Sequence, residues 1–326
     1  MIDADIQREY TAATEGAGLI QLSDWTTVRI AGRDRASFLH NMCTNEVKLL
    51  TAGSGCEAFF TDVKGKVLAH AFILVSDNVV QLITVPGQAE RLIAHLDRYI
   101  IREDVQLADA SQEVSWLLVT GRHAGFALGQ FDPVTVASLS ALWSHASTKV
   151  DSAGVQIARC DVPWCGGYLV GMATNECDAV FAALQRVGAT PCFEPNWHAI
   201  RVESNWPLWG VDFDDSNLPQ EVNRDALAIH FRKGCYLGQE TVARIDALGH
   251  VNKKLVQVRF NGDNVPAIGA DVTAAGQSVG RITSAVWSPR WQAPAALAML
   301  RRGANEPGQA VECDGQPGEV VPASGG

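Results

Sequence analysis

The chain of 326 residues has no Cys-x-x-Cys pair, no excess of positive charge and no apolar run near the ~20 residues of a membrane span. Each absence excludes something. Its eight cysteines stand at 43, 56, 160, 165, 177, 192, 235 and 313, and the nearest two bracket a proline and a tryptophan. Neither a tetrahedral zinc site nor a regular iron–sulfur ligand set follows from that spacing. Reduced thiols in a cytosolic protein are expected, with no stably bound metal. The first residues, Met1 to Gln7, are acidic and lead into no apolar stretch, so neither a secretory signal nor a transit peptide is expected. A cytoplasmic, bacterial-type location away from membranes follows. Lys and Arg number 26 against 36 Asp and Glu, a net charge of −10, so the global field repels nucleic acid and direct nucleic-acid binding is disfavoured. Any anionic ligand must be met by cations gathered locally.

What is present suits a globular enzyme-like protein. Apolar residues make up 47% and charged residues 19%, and the length allows one large or two to three smaller domains. Asp5 to Glu15 reads as a helix, Thr26 to Ala31 as a strand, and Gly32 with Asp34 opens a helix bearing Phe38, Leu39 and Met42. Cys56 to Thr61, the Lys64-Gly65 turn and Val67 to Val75 form a β-hairpin, continued by Val79 to Val85. Gln88 to Tyr99 is helical and Ile100 to Leu107 is strand-like. A looser repetition follows, with strands at 114–120, 155–158 and 168–172 and helices at 123–130 and 176–187. This order predicts two packed α+β units, roughly 1–110 and 111–248. Glu194 to Glu203 is a third helix, and 206–231 reads as a long Asp- and Pro-rich loop. From 249 to 326, short strands with Gly and Asn turns predict a small β-barrel with a disordered Pro-Ala-Ser-Gly-Gly tail.

The stretch Phe231-Arg232-Lys233-Gly234-Cys235-Tyr236-Leu237-Gly238-Gln239-Glu240 holds a cysteine beside two cations and two glycines, just before a helix. A thiolate is favoured by neighbouring Arg or Lys and by the free N–H groups of a helix start. Glycines there permit close backbone approach. The alternative is a turn whose cysteine merely packs. Tyr236 and Gln239 are expected to shape the loop and Glu240 to cap the helix or pair with Lys233. His230 is within reach as a proton acceptor.

Lys-Gly-Cys-Tyr-x-Gly-Gln-Glu resembles the motif of the YgfZ family, folate-binding relatives of the glycine-cleavage T-protein. That family is implicated in iron–sulfur cluster maintenance and in tRNA modification that depends on such clusters. Further matching blocks are Gly32-x-Asp34-x-x-x-Phe38-Leu39 with Thr44-Asn45, Tyr99-Ile100-Ile101-Arg102, Arg201-Val202-Glu203 with Gly210-x-Asp212, and Gly280-x-x-Thr283-Ser284. The resemblance implies a T-protein-like folate-binding fold and a tetrahydrofolate derivative as cofactor. Glu203 is the implied pterin contact, since a carboxylate can accept both N–H groups on one edge of the ring. Arg201 and Asn45 belong to the matching blocks, and Arg232, Lys233, Arg244, Lys253 and Lys254 are cations available to the folate tail. Trp206 and Trp209 are available as ring walls, with core packing the plainer role.

One departure bears on chemistry. T-proteins carry an acidic pair after a Gly-Gly turn, where this chain has Ala69 and His70 after Gly65-Lys66-Val67-Leu68. Arg159 to Trp164 likewise replaces a Gly-Tyr-Thr-Gly-Glu block. The resemblance therefore implies a folate-binding accessory factor for iron–sulfur clients or their assembly factors, acting through Cys235, rather than glycine cleavage. A folate-dependent one-carbon transferase or demethylase and a ligand-free scaffold are the alternatives.

Overall fold

The computed structural model describes residues 4–161 and 166–322. Cys165, the segment from Val162 to Trp164 and most of the tail expected to be disordered lie outside the described residues.

Helix α1 (Ala4–Thr14) and strand β1 (Gly18–Leu22) open the chain. Strand β2 (Thr26–Ala31), helix α2 (Arg35–Met42), strands β3 (Ser54–Thr61), β4 (Val67–Val75) and β5 (Val80–Thr84), helix α3 (Ala89–Asp97) and strand β6 (Gln106–Asp109) follow. They build a five-stranded sheet in the order β3-β4-β5-β2-β6. The run at β4 is apolar except for His70 because both of its faces are covered. Ala69, Ala71, Ile73 and Val75 face α2 and α3, while Phe72 and Leu74 face the opposite side.

The second unit holds β7 (Val114–Thr120), α4 (Ala124–Gly129), α5 (Pro133–Ser138), β8 (His145–Val150), β9 (Ala153–Cys160), β10 (Gly167–Ala173), α6 (Cys177–Arg186), β11 (Thr190–Pro191) and α7 (Glu194–Glu203). Its sheet order is β11-β1-β7-β10-β9-β8, so the first strand of the chain joins the sheet of the second unit. Residues 18–22 were not expected as a strand, nor as part of that unit. The two sheets stack through a layer that includes Ile20, Leu22, Phe72, Leu74, Trp116, Trp143, Leu169 and Trp206.

Between α7 and the barrel, the expected loop at 206–231 contains a 3-10 turn at Pro219–Val222 and the short helix α8 (Asp225–Ala228), and the helix expected after the cysteine motif is α9 (Gln239–Leu248). Strands β12 (Lys253–Phe260), β13 (Asp271–Ala274), β14 (Gln277–Ser288), β15 (Ala293–Arg301), β16 (Ala310–Cys313) and β17 (Gln316–Val321) close into a barrel in the order β12-β15-β14-β13-β16-β17. The sequence showed five of these six strands; the sixth, β17, has proline and glycine in its first half. No helix among the described residues is long and apolar enough to cross a membrane.

Candidate functional site

The thiol loop is held from below. Helix α2 ends at Met42, and the carbonyls at a helix end lack intrahelical partners. The ammonium of Lys233 fills that role: Nζ donates to the carbonyls of His40 at 2.5 Å, Cys43 at 2.8 Å and Asn45 at 2.6 Å. A cation at a helix C-terminus also meets the negative end of the helix dipole. Burial pushes the Lys233 amine below its ordinary pKa, while nearby Cys43 and Glu46 act the other way. Tyr236 is buried with its ring 5.0 Å from that ammonium, and burial drives its phenol pKa upward. Two backbone bonds complete the clamp, Leu237 N–H to Asn41 and His230 N–H to Thr44, both 3.0 Å. Lys233 is thus a brace beneath the loop.

Gly238 stands at the N-terminus of α9 with φ +81°. A Cβ there would meet the Asp62 carbonyl at 2.5 Å and Thr61 Oγ1 at 2.6 Å, so only glycine lets the loop close on the β3–β4 turn. Thr61 Oγ1 donates to the Leu237 carbonyl at 2.6 Å across the same contact. Gln239 is half-buried, and Arg232, Gly234, Glu240 and Arg244 are exposed. Of the seven cysteines described, Cys235 alone is exposed; Cys56 is half-buried and the other five are buried. His230 is exposed. The histidine facing the loop is His40, whose Nε2 lies 3.7 Å from where a Cβ on Gly234 would stand. Its Nδ1 is 2.8 Å from Glu46 Oε1, off the angle of a hydrogen bond. Burial and then Lys233 lower the His40 pKa. Sequence reasoning missed His40, which is nearly two hundred positions away from the motif.

Helix α7 faces the barrel. Glu203 is fully buried; Oε2 accepts from Tyr10 Oη at 2.5 Å, and Oε1 accepts from Ser288 Oγ at 2.5 Å and from the Arg290 N–H at 3.3 Å. Burial raises its pKa and these bonds oppose the rise. Arg201 donates from Nη1 to Asp212 Oδ2 at 2.9 Å and from Nη2 to Ser284 Oγ at 2.6 Å. Asn45 Nδ2 donates to the carbonyls of Glu57 and Leu227, each at 2.8 Å. All three therefore have protein partners. Glu203 and Cys235 are not among the lining residues of the cavities described below.

The cavity between the units is aromatic instead. Trp206 stacks on Trp25 at 5.8 Å and on Phe72 at 5.3 Å, and Phe72 stacks on Trp143 at 4.4 Å. They leave an inner chamber of about 10 Å³ beside His70 and Thr84, room for one water at most. Sharing its walls Trp25, Val85 and Leu208 is an open groove of about 330 Å³ lined also by Gln88, Trp197, Trp209 and Val211. Gln88 Oε1 and Trp209 Nε1 are buried without hydrogen-bond partners, one acceptor and one donor in one groove. Arg91 lies 4.7 Å over the Trp209 ring and holds Asp215 at 3.0 Å. Trp209 thus walls a groove, whereas Trp206 belongs to the core.

His70 is a buried, paired residue. Its Nε2 lies 2.7 Å from Glu57 Oε1, and Arg224 Nε donates to the same oxygen at 2.8 Å. Arg224 also donates to Asp161 Oδ2 at 2.8 Å. Burial acts to raise the Glu57 pKa, but Arg224 and His70 outweigh it and hold it at about 2.

Residues 2–233 match the family model described as the GCVT N-terminal domain, and 253–324 match the glycine cleavage T-protein C-terminal barrel domain. The chain belongs to the glycine-cleavage T-protein family. A putative chloroplastic transferase of Arabidopsis thaliana is 25% identical over 280 residues, 84% of this chain but only 62% of that protein's length. An aminomethyltransferase of Herpetosiphon aurantiacus is 26% identical over 313 residues, 95% of this chain and 85% of its own. The tRNA-modifying protein YgfZ of Hamiltonella defensa is 28% identical over 252 residues, 77% of this chain and 72% of its own. Among solved structures, aminomethyltransferase T of the Bartonella henselae glycine cleavage system superposes with a TM-score of 0.84 at 16% identity, covering 97% of this chain and 88% of that one. The architecture is therefore the α+β T-protein fold with its barrel. Within the T-protein family, the position where the resemblance calls for an acidic pair carries Ala69 and His70, and His70 is tied to Glu57.

Proposed function

We propose that this T-protein relative binds a tetrahydrofolate derivative in the tryptophan-walled groove and serves as an accessory factor for iron–sulfur cluster assembly or repair, with Cys235 as its working thiol. One observation carries the reading: Cys235 is the sole exposed thiol of the seven described, on a loop that a buried lysine, a buried tyrosine and a left-handed glycine hold in place. A loop braced from beneath presents its one free group outward, to a partner rather than to a pocket. The groove suits a flat heterocycle, with indole walls, one acceptor and one donor. Aminomethyl transfer is disfavoured because the position for its acidic pair holds an alanine and a histidine already bonded to Glu57.

The test is growth rescue in a bacterial strain lacking its own copy, with Cys235→Ser beside the wild type. The side chain is exposed, so the variant is expected to fold normally and to lose rescue; full rescue removes Cys235 from the mechanism. Calorimetric titration with tetrahydrofolate tests the ligand: saturable heat weakened by Trp209→Ala supports the groove, and no heat favours a scaffold. Glu203→Ala in the same titration tests the carboxylate by itself, and a lost pterin affinity returns that residue to the site. Formation of methylene-tetrahydrofolate from an aminomethyl donor would favour the transferase reading, in keeping with the relatives named as transferases.

A further inference from the structure

On the outer face of the second unit, β9 and β10 present opposed pairs beneath helices α4, α5 and α6. Val155 faces Met172 and Ile157 faces Val170, all of them buried in one apolar cluster. The next pair along the same face is Arg159 with Tyr168. A guanidinium and a phenol thus end a row that is otherwise apolar. Helices α4 and α5 leave an open groove of about 620 Å³ over this pair. Phe126, Pro133, Val136 and Leu139 form its apolar walls, and Phe126 is 70% exposed. An aromatic ring left in water on the wall of a groove is apolar surface for a ligand to cover.

The charge in this groove has no counter-ion. Arg159 Nη1 reaches the Leu139 carbonyl at 3.4 Å, and among the described residues no carboxylate lies within ion-pair distance of it. Tyr168 Oη and Ser140 Oγ have no hydrogen-bond partner among those residues. No residue lining the groove is acidic. Asp132, at the start of α5, is taken by the Thr135 N–H at 3.0 Å and by the hydroxyls of Thr135 and Thr148 at 2.6 Å, and Asp161 accepts from Arg224. Helix α4 contributes bare backbone, because Gly125 and Gly129 share one side of it and both line the groove. Glycine is a poor helix former, so packing or a ligand has to account for it. A Cβ on Gly125 would crowd Tyr168 Oη at 3.1 Å, whereas one on Gly129 would meet only Pro133 Cβ at 4.0 Å. Position 129 has room for a side chain and leaves that room to the groove.

We infer that this groove binds a monocarboxylic acid with an apolar tail, the carboxylate on Arg159 and Tyr168 and the tail along α4 and α5. One cation with no acid beside it calls for a single negative charge, and the planar guanidinium fork matches a carboxylate. Apolar walls call for a body without polar groups, and the volume falls in the range of small-molecule sites. The groove has no lining residue in common with the tryptophan groove, so the inference is independent of the folate reading.

The experiment titrates the full chain calorimetrically with sodium decanoate, decanol and decyl phosphate, below micelle-forming concentrations, for the wild type, R159Q and G129L. The wild type is expected to bind decanoate saturably, with decanol about tenfold weaker for want of the charge. R159Q brings decanoate down to the level of decanol and leaves decanol unchanged. G129L fills the open position and removes the binding of both. Arg159 is exposed, so R159Q keeps the fold and decides the question even where G129L does not fold. Decanol binding as tightly as decanoate, or decanoate binding that R159Q leaves unchanged, overturns the carboxylate site. A tenfold preference for decyl phosphate over decanoate also overturns it, in favour of a phosphate monoester. No saturable binding of any of the three overturns the groove as a ligand site.

Discussion

Individual residues in this chain do other work than their sequence neighbourhood suggests. Lys233 beside a cysteine reads as an activator of the thiol, yet its ammonium faces three carbonyls. Those partners lie nearly two hundred positions upstream, beyond any local pattern. His70 reads as a sheet residue and is one, but it belongs to a charged network with Glu57, Arg224 and Asp161 that sequence gives no means to assemble. That network sets an acid limit on stability. The folded-state pKa of Glu57, about 2, lies below its ordinary 4.5, so the unfolded chain binds the extra proton between those values. The stabilisation is complete above about pH 4.5 and is lost as pH falls towards 2, by on the order of 3 kcal/mol. Glu57→Gln should cost about 3–5 kcal/mol at pH 7, because it leaves a buried guanidinium underpaired. In urea unfolding, the gap between wild type and variant should narrow by about 3 kcal/mol from pH 5 to pH 2. A gap that does not change with pH would show that Glu57 is not the titrating group.

Elements were legible where one face or both faces are apolar and the run is long. Strand β4 and helices α3 and α6 appear in sequence nearly as in the structure. The edge strand β8, His-Ala-Ser-Thr-Lys-Val, is buried only at its two ends and carries polar residues at most of its positions, and the expectation passed over it. Strand β1 has five residues, starts on Gly18 and stops just before the turn at Asp24, and its pairing with β7 is fixed by contacts a hundred positions away. The motif glycine at 238 is different, because its role can be stated and tested element against element. Gly238→Ala forces a left-handed alanine and also drives a Cβ into the Asp62 carbonyl, so the joint between the thiol loop and the β3–β4 hairpin must open. Gly249, at the other end of α9 with φ +70°, has nothing within 4 Å of its would-be Cβ. Gly249→Ala should cost about 1 kcal/mol from backbone strain alone, and Gly238→Ala about 2–3 kcal/mol. Thermal unfolding of the two variants measures the difference. Equal losses would mean that the loop does not depend on that joint.

At the scale of the whole molecule, the two-sheet body and the barrel meet at α7, and the residues expected to hold a pterin are the ones that join them. Val202 packs with Leu255, Ala295 and Leu297, Gln257 Nε2 donates to the Val202 carbonyl at 2.6 Å, and Glu203 takes Ser288. Asp212 is the centre of the joint. It accepts from Arg201 Nη1 at 2.9 Å, the Leu208 N–H at 2.9 Å, Thr283 Oγ1 at 2.8 Å and Ser284 Oγ at 2.5 Å, tying the helix, the connecting loop and β14 to one carboxylate. The block Arg201-Val202-Glu203 with Gly210-x-Asp212 was visible in sequence as a unit, but spacing alone does not tell a ligand site from a domain joint. Asp212→Asn keeps the shape and removes the charge, leaving the Arg201 guanidinium buried without its counter-ion, a loss of about 3–5 kcal/mol. The loss falls on one interface, so the barrel should detach before the sheets unfold. Hydrogen exchange would then quicken first across β14 and β15 while β4 and β7 stay protected, and urea unfolding should split into two steps. Leu208, Trp209, Gly210 and Val211 of the connecting loop line the tryptophan groove, so the same variant should also loosen ligand binding there. A single unfolding step with less than about 1 kcal/mol lost would place the strength of the joint elsewhere, in the apolar contact of Val202 with the barrel wall.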